Sequence, residues 1–152
     1  MAKNEAGYSL VELIIVVILL GVFAAVAVPR LNFATVSKQK ADTVARKLVT
    51  DLRRTRSLAI SDAASNTEGY ELKMVGSVPY TAYEIENGDT GETVDSHTID
   101  SNVSCAGDNT FEFGPLGNLK AGSGSALTVS ADGKSYTITI VPATGAAKCA
   151  EN

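Results

Sequence analysis

One carboxylate interrupts a long apolar run near the start of the chain. Glu12 lies within residues 10–28, where every other residue is apolar or glycine. As a helix, these nineteen residues would measure about 28 Å, close to the hydrocarbon thickness of a bilayer. An acid inside lipid costs roughly 3 kcal/mol, so it is retained where it has a partner or a task. Glu12 is therefore either a counter-ion for a positive group on a neighbouring chain or a residue of the headgroup zone with little effect.

The rest of the chain lacks the residue sets that support catalysis. His97 is the one histidine, and no Ser/His/Asp set, Cys/His pair or glycine-rich phosphate loop is recognisable. We therefore expect no enzyme activity and no cofactor. Residues 84–95 are rich in carboxylates and hydroxyls but lack the spacing of an EF-hand loop, so we expect no metal site.

Two cysteines, Cys105 and Cys149, lie in the second half of the chain. An even number of cysteines in a small domain is compatible with one disulfide in an oxidising compartment, and no histidine lies near them to form a metal site. The sequence thus favours a Cys105–Cys149 disulfide over two buried free thiols.

The charge is divided between two regions. Residues 30–61 contain eight basic and two acidic side chains, net +6, whereas residues 62–152 contain four basic and thirteen acidic ones, net −9. Arg53, Arg54 and Arg56 are the most basic cluster and could contact either nucleic acid or the acidic region. No aromatic residues alternate with them for base stacking, which favours the second interpretation.

The apolar segment itself allows three interpretations. Ala25-Val26-Ala27 has the form of a signal-peptidase cleavage site, although the charge before the run is hardly positive. A plain membrane anchor is the second interpretation, and the positive charges after the segment would then place the C-terminal part in the cytoplasm. The third interpretation depends on the order of the residues around Glu12.

The stretch GYSLVELIIVVILLGVFAAVAVP resembles the N-terminal signature of type IV prepilins and of the pseudopilins of type II secretion. The resemblance implies a leader of residues 1–7, cleavage after Gly7 by prepilin peptidase, and N-methylation of the new terminus at Tyr8. Glu12 is then the fifth mature residue, and its counter-ion is the Tyr8 ammonium of a neighbouring subunit. Pro29 matches the proline that kinks the helix in this family, whereas Tyr8 replaces the commoner Phe or Met.

Residues 30–62 predict an amphipathic stem helix that continues the membrane and assembly segment, residues 8–29. Spacings of three and four residues mark one mostly apolar face. Its members are Ala41, Ala45, Leu48, Leu52, Thr55 and Ala59. The pairs Asp42–Arg46 and Lys47–Asp51 are expected to form ion pairs on the solvent side.

Residues 63–152 predict a β-rich globular head. Strands are expected at residues 69–74, 80–86, 93–99 and 110–113, and a hairpin at residues 125–141 turning at Asp132-Gly133. Together with the stem, they predict an α+β fold in which one long helix packs on a mostly antiparallel sheet of five to seven strands. The segments VARKLVTDLRRTRSLAISDAAS, FEFGPLGNL and ITIVPATGAAK resemble those of GspH/FimT-type minor pseudopilins, whose pilin fold has this architecture.

The resemblance implies a structural protein rather than a catalyst. It would insert once in the bacterial inner membrane, with its head in the periplasm, and then join a pseudopilus or type IV pilus. Its expected partners are prepilin peptidase, inner-membrane lipid, other pilins through the N-terminal helix, and a secreted substrate. A binding module, anchored or secreted, such as a DNA-uptake minor pilin, is the alternative, but the acidic head and the missing arginine after Gly145 disfavour nucleic acid.

Overall fold

The fold is described by a computed structural model that covers residues 9–27 and 33–152. Helix α1 spans Leu10–Ala27 and helix α2 spans Phe33–Ser61. The chain divides into two compact units, Met1–Phe33 and Ala34–Asn152. The second unit contains most of α2 and the β-rich head, and it is described here first.

Eight strands follow α2 in the chain. They are β1 Tyr70–Val75, β2 Ala82–Asn87, β3 Thr93–Thr98, β4 Ser104–Gly107, β5 Thr110–Phe113, β6 Ala126–Ala131, β7 Lys134–Val141 and β8 Ala146–Glu151. They form two four-stranded sheets with the orders β3-β2-β1-β5 and β4-β6-β7-β8, and every pairing is antiparallel. The predicted α+β class and antiparallel pairing are confirmed, but the prediction of a single sheet of five to seven strands is wrong.

The core forms where α2 packs on the head. All six residues of the predicted apolar face are essentially inaccessible to solvent: Ala41, Ala45, Leu48, Leu52, Thr55 and Ala59. Three of them are alanines, whose small side chains leave room for larger ones from the strands. Opposite them lie large side chains from both sheets, among them Leu72, Ile85, Phe111, Phe113 and Ile138. Burial of this continuous apolar surface is the main stabilising contribution to the unit.

The hairpin of β6 and β7 has the predicted register. Leu127 lies opposite Ile138 and Val129 opposite Tyr136, and all four side chains are buried. The turn uses Asp132, whose φ of 49° is the left-handed conformation that Asp tolerates in tight turns. Alternation of apolar and polar residues on both sides of an Asp-Gly pair was therefore a sufficient signal here.

Strands β4 and β8 were not predicted from the sequence. Strand β4 has four residues, Ser-Cys-Ala-Gly, and β8 has three alanines among its six residues. Neither has the β-branched or aromatic content that marks a strand locally. Each is a strand because a neighbour, β6 or β7, offers it a full ladder of hydrogen-bond partners.

The loop that contains Gly117 and the loop that contains Gly145 contact each other near the C-terminal end of α2. Arg56 Nε donates a hydrogen bond to Gly117 O at 3.0 Å, and Leu119 N donates to Pro142 O at 3.0 Å. Gly117 and Gly145 both have positive φ, and a Cβ on Gly145 would lie 2.0 Å from Gly117 O. The Gly-Pro-Leu-Gly and Ala-Thr-Gly turns thus meet backbone to backbone over Arg56, which only glycine permits.

We predict that Gly145→Ala destabilises the head by about 2–4 kcal/mol, because a left-handed alanine is strained and its methyl overlaps a backbone carbonyl. Urea unfolding followed by circular dichroism measures the change. Gly133→Ala is the matched control: Gly133 also has positive φ, but its added Cβ meets nothing within 4 Å. The control should cost only the backbone strain, about 1 kcal/mol, and equal losses in the two variants would contradict the proposed loop contact.

Candidate assembly site

Helix α1 presents an apolar surface with one acid in its first turn. Glu12 is the acidic residue of that turn, and the side chains described for residues 9–25 are all exposed. They include Leu13, Ile14, Ile18 and Phe23, each between 47% and 64% exposed. A Cβ on Gly21 would meet no atom within 4 Å. A helix that is apolar all round is stable only when lipid or other helices surround it.

Glu12 has no hydrogen-bond or ion-pair partner among residues 9–27 and 33–152. The predicted residues Gly7, Tyr8 and Pro29 lie outside the described residues, so cleavage, methylation, the kink and the ammonium counter-ion remain predictions. Within the described stretches, neither helix satisfies both the length and the hydropathy that a membrane span requires.

In the head unit, three basic side chains at a regular spacing connect one side of α2 to β3 and to Asp100, which follows β3. Lys40, Lys47 and Arg54 recur every seven residues, so they line one side of the helix. Lys40 Nζ lies 2.8 Å from Asp100 Oδ2, Lys47 Nζ lies 3.3 Å from His97 Nε2, and Arg54 forms an ion pair with Asp95. The side chain of His97 is only 26% exposed.

Asp51 is the buried centre of this side. Tyr83 Oη donates to its carboxylate at 2.5 Å, and Lys47 Nζ and His97 Nε2 lie 3.4 Å and 3.7 Å from it. Burial and the bond to Asp51 both raise the pKa of Tyr83. The predicted Lys47–Asp51 pair therefore exists, but its placement on the solvent side is wrong, since the Asp51 side chain is 7% exposed. Asp42–Arg46 is the exposed pair that was expected, with 2.9 Å between its atoms.

The other side of α2 is tied to β8 and the adjoining loops. Arg53 Nη2 donates a hydrogen bond to Ala147 O at 3.2 Å, and Arg56 donates one to Gly117 O. With Arg54 on Asp95, all three arginines of the basic cluster bind the head of their own chain. The interpretation that this cluster binds acids of the head is confirmed for Arg54, whereas Arg53 and Arg56 bind backbone carbonyls. These bonds leave fewer guanidinium donors for phosphate than the sequence suggested.

The predicted disulfide between Cys105 and Cys149 is wrong. Both residues are free thiols, Cys105 buried in β4 and Cys149 exposed in β8. Strands β4 and β8 are opposite edges of one sheet with β6 and β7 between them, so three interstrand spacings, about 14 Å, separate them. A disulfide needs Cα atoms no more than about 7 Å apart. Burial raises the pKa of the Cys105 thiol to about 12.

The acidic stretch 84–95 forms the β2–β3 hairpin. Asn87 organises its loop: Asn87 Oδ1 accepts hydrogen bonds from Asp89 N at 2.9 Å and Thr90 N at 3.3 Å. Within the ranges that the structure describes, no three His, Cys, Asp or Glu side chains converge as metal ligands would.

Some residues that shape the head were not predicted from the sequence. Asp51 was assigned to solvent because its spacing fits an ion pair with Lys47, and nothing local shows that Tyr83 lies against it. Arg56 resembled its neighbours Arg53 and Arg54. Its partner Gly117 was signalled only by the Gly-Pro-x-Gly pattern of a turn.

Comparison with known proteins supports both halves of this description. Residues 2–28 match the model of the prokaryotic N-terminal methylation motif. No curated protein matches the chain. Among solved structures, the chain is similar to the type IV minor pilin FimU of Pseudomonas aeruginosa (strain PAO1), with a TM-score of 0.57 and 13% identity over 75% of this chain and 89% of that one. The chain is thus type IV prepilin-like in its N-terminal motif and has the fold of a minor pilin.

The ion pairs along β3 predict a loss of stability in acid. The hydrogen bond from Lys40, helped by bonds from Asn102, lowers the pKa of Asp100 from 3.8 to about 2, and Arg54 lowers that of Asp95. A lowered carboxyl pKa contributes stability above the unfolded value, which is lost as pH falls through the folded value. The urea concentration at the unfolding midpoint should therefore decrease as the pH is lowered from 4 to 2.

Asp100→Asn should flatten this acid limb without abolishing it, because Asp95–Arg54 remains. Asp89→Asn, in the exposed β2–β3 loop, is the control and should leave the limb unchanged. An Asp100→Asn curve parallel to that of the unmodified protein would contradict a role for the Lys40–Asp100 pair.

Proposed function

We propose that this chain is a minor pilin or pseudopilin, a structural subunit that is processed by prepilin peptidase and assembled into a filament. The observation that carries the proposal is a methylation motif at residues 2–28 directly before a domain with the fold of a type IV minor pilin. Processing would occur after Gly7, and Tyr8 would become the methylated N-terminus. Pro29 would break the helix between the assembly segment and the stem. The loops FEFGPLGNL and ITIVPATGAAK, which lock together over Arg56, favour the GspH/FimT-type subfamily.

Before assembly, residues 10–28 would anchor the chain in the inner membrane, with the head in the periplasm. The exposed apolar side chains of α1 support this placement, since water is a poor solvent for such a surface. In the filament the same surface would pack against the corresponding helices of other subunits. Cleavage after Gly7 would leave the apolar segment in the mature chain, so that it would remain as the membrane anchor.

Glu12 would set the register of assembly. In lipid, an isolated carboxylate and an isolated ammonium each carry a desolvation cost of several kcal/mol. When the Tyr8 ammonium of an incoming subunit reaches Glu12 of its neighbour, two unpaired charges become one pair. The pair offsets much of that cost at only one axial position, which selects the docked geometry. The absence of a partner for Glu12 in the described part of the single chain fits a contact made between subunits.

The head would serve as a structural and recognition element of a secretion pseudopilus or a type IV pilus. A DNA-uptake role receives less support, because Arg53, Arg54 and Arg56 already bind the head. The surface of the head, and not the N-terminal motif, would decide which secreted substrate or neighbouring pilin it contacts.

One test of the proposed function concerns the mature N-terminus. Intact-mass and N-terminal peptide analysis of protein from its native membrane should find a chain that begins at Tyr8 with one added methyl group. Gly7→Asp should block cleavage and leave the full-length precursor in the membrane. A mature chain beginning at Val28 would instead identify an ordinary secreted protein, and one that retains residues 1–7 would identify a plain anchor.

Another test of the proposed function concerns Glu12. Glu12→Gln should be cleaved normally but should enter sheared filaments at least about tenfold less, because losing about 1.4 kcal/mol of docking free energy is a factor of ten. Quantitative immunoblots of the filament and membrane fractions measure the ratio. Glu92→Gln, an exposed glutamate of the β2–β3 loop, is the matched control and should assemble normally. Normal incorporation of processed Glu12→Gln protein would refute the charge-pair mechanism while leaving the pilin assignment intact.

A further inference from the structure

The two sheets have four outer strands, and three of them are protected. The free side of β5 is covered by its own loop, where Lys120 N donates to Glu112 O at 2.9 Å and Gly124 N to Thr110 O at 2.8 Å. The free side of β4 receives Tyr80 N on Cys105 O at 2.9 Å. Strand β3 pairs with β2 through an irregular register at Ile85/Glu86, a bulge of the kind that protects natural sheet edges.

Strand β8 has no such cover in the described part of the chain. It pairs with β7 in continuous register over six residues, with no bulge and no proline. Asn152 N donates to Ser135 O at 3.0 Å, which makes residues 152 and 135 a hydrogen-bonded pair. Because such pairs alternate along an antiparallel ladder, the backbone groups of Ala147, Cys149 and Glu151 point away from β7. Of these groups, Ala147 O is bonded by Arg53.

The side chains of β8 are small enough for another backbone to approach. Four of its six residues are alanine or cysteine, and Cys149 and Ala150 are exposed. This combination of a straight ladder, free peptide groups and small side chains is what β-augmentation requires.

The surroundings of this edge are basic. Five cations lie on β8, on β7 and on the adjoining side of α2: Lys38, Arg46, Arg53, Lys134 and Lys148. Two acids lie among them, and each is already paired: Asp42 with Arg46 at 2.9 Å and Glu151 with Lys134 at 3.1 Å. An open groove of about 600 Å³ between α2 and the β7–β8 edge is lined by members of this set. Positive charge therefore exceeds negative charge at the edge, although the head as a whole is acidic.

We propose that the β8 edge binds an extended, acidic segment of another protein as an added strand of the β4-β6-β7-β8 sheet. Its backbone would bond to the free groups of Cys149 and Glu151. One carboxylate would lie beside Lys148 on the outer face of the sheet, and another would lie over the groove at Arg46. This site goes beyond assembly through α1, and it does not depend on the filament role.

The same charges disfavour a second copy of this chain as the occupant. If two β8 strands paired antiparallel about Cys149, the two Lys148 side chains would be diagonal neighbours. Like charges in these positions are destabilising. A lysine in the middle of an edge strand is also a common device against self-pairing.

Hydrogen exchange of the full-length chain in detergent micelles tests the proposal. The probe is an acetylated eight-residue peptide of alternating glutamate and valine, and the control peptide has lysine in place of glutamate. With the acidic peptide, the amides of Cys149 and Glu151 should exchange at least tenfold more slowly. The amides of Lys148 and Ala150, already bonded to β7, should not change. The lysine peptide should leave all four unchanged.

A charge reversal gives the matched variant. Lys148→Glu should bind the acidic peptide at least tenfold more weakly and should accept the lysine peptide instead. Lys73→Glu, on the exposed face of β1 in the other sheet, should bind the acidic peptide as the unmodified chain does.

Three results would overturn the proposal. The first is unchanged exchange at Cys149 and Glu151 with millimolar acidic peptide, and the second is equal protection by both peptides. The third is protection of the same amides that rises with protein concentration alone, which would identify the occupant as a second copy.

Discussion

The close packing of α2 on the strands of both sheets is the contact on which the rest of the head depends. The stripe from Ala41 to Ala59 is fully buried and runs along much of the 29-residue helix. Neither sheet has another helix of the unit to cover its apolar face in the described residues. Without α2, side chains such as Phe111 and Ile138 would face water, so the helix and both sheets must form together.

Polar side chains on both sides of α2 fix the position of the helix along this apolar contact. The β3 side is bound through Lys40, Lys47 and Arg54, and the β8 side through Arg53 and Arg56. Exposed pairs of this kind contribute little stability each. Their value lies in register, since a helix shifted by one turn would separate every cation from its partner and would leave buried Asp51 without Tyr83.

The surface of α1 and the surface of the head differ in chemistry. Helix α1 carries an apolar surface with one acid, which suits contacts in lipid or among similar helices. Most cations of the head unit are bonded to its own acids and carbonyls, and acids outnumber bases in the head as a whole. The β8 edge is the exception, because its cations exceed the acids beside them and the outward peptide groups of Cys149 and Glu151 have no partner in the described residues. The proposed assembly contact through α1 and the proposed strand-binding contact at β8 thus use different residues.

The sequence by itself determined those features that depend on periodicity and local order. The methylation motif around Glu12 was recognised from the order of its residues. The buried stripe of α2 and the β6–β7 hairpin with its register follow from spacings within one element, and the α+β class follows from the helix and the strands together. Such patterns are readable because a helix or strand repeats its faces at a fixed period. The roles of Gly7, Tyr8 and Pro29 rest on the resemblance to prepilins and remain predictions.

Only the tertiary structure decided which distant segments meet. It divided the strands into two sheets, made strands of Ser104–Gly107 and Ala146–Glu151, buried Asp51 under Tyr83 and set Cys105 and Cys149 on opposite edges. None of these has a local signature, because each depends on the hydrogen-bond partners, burial and distance that another part of the chain provides. The sequence could show that two cysteines exist, but only the strand order shows that two strands lie between them.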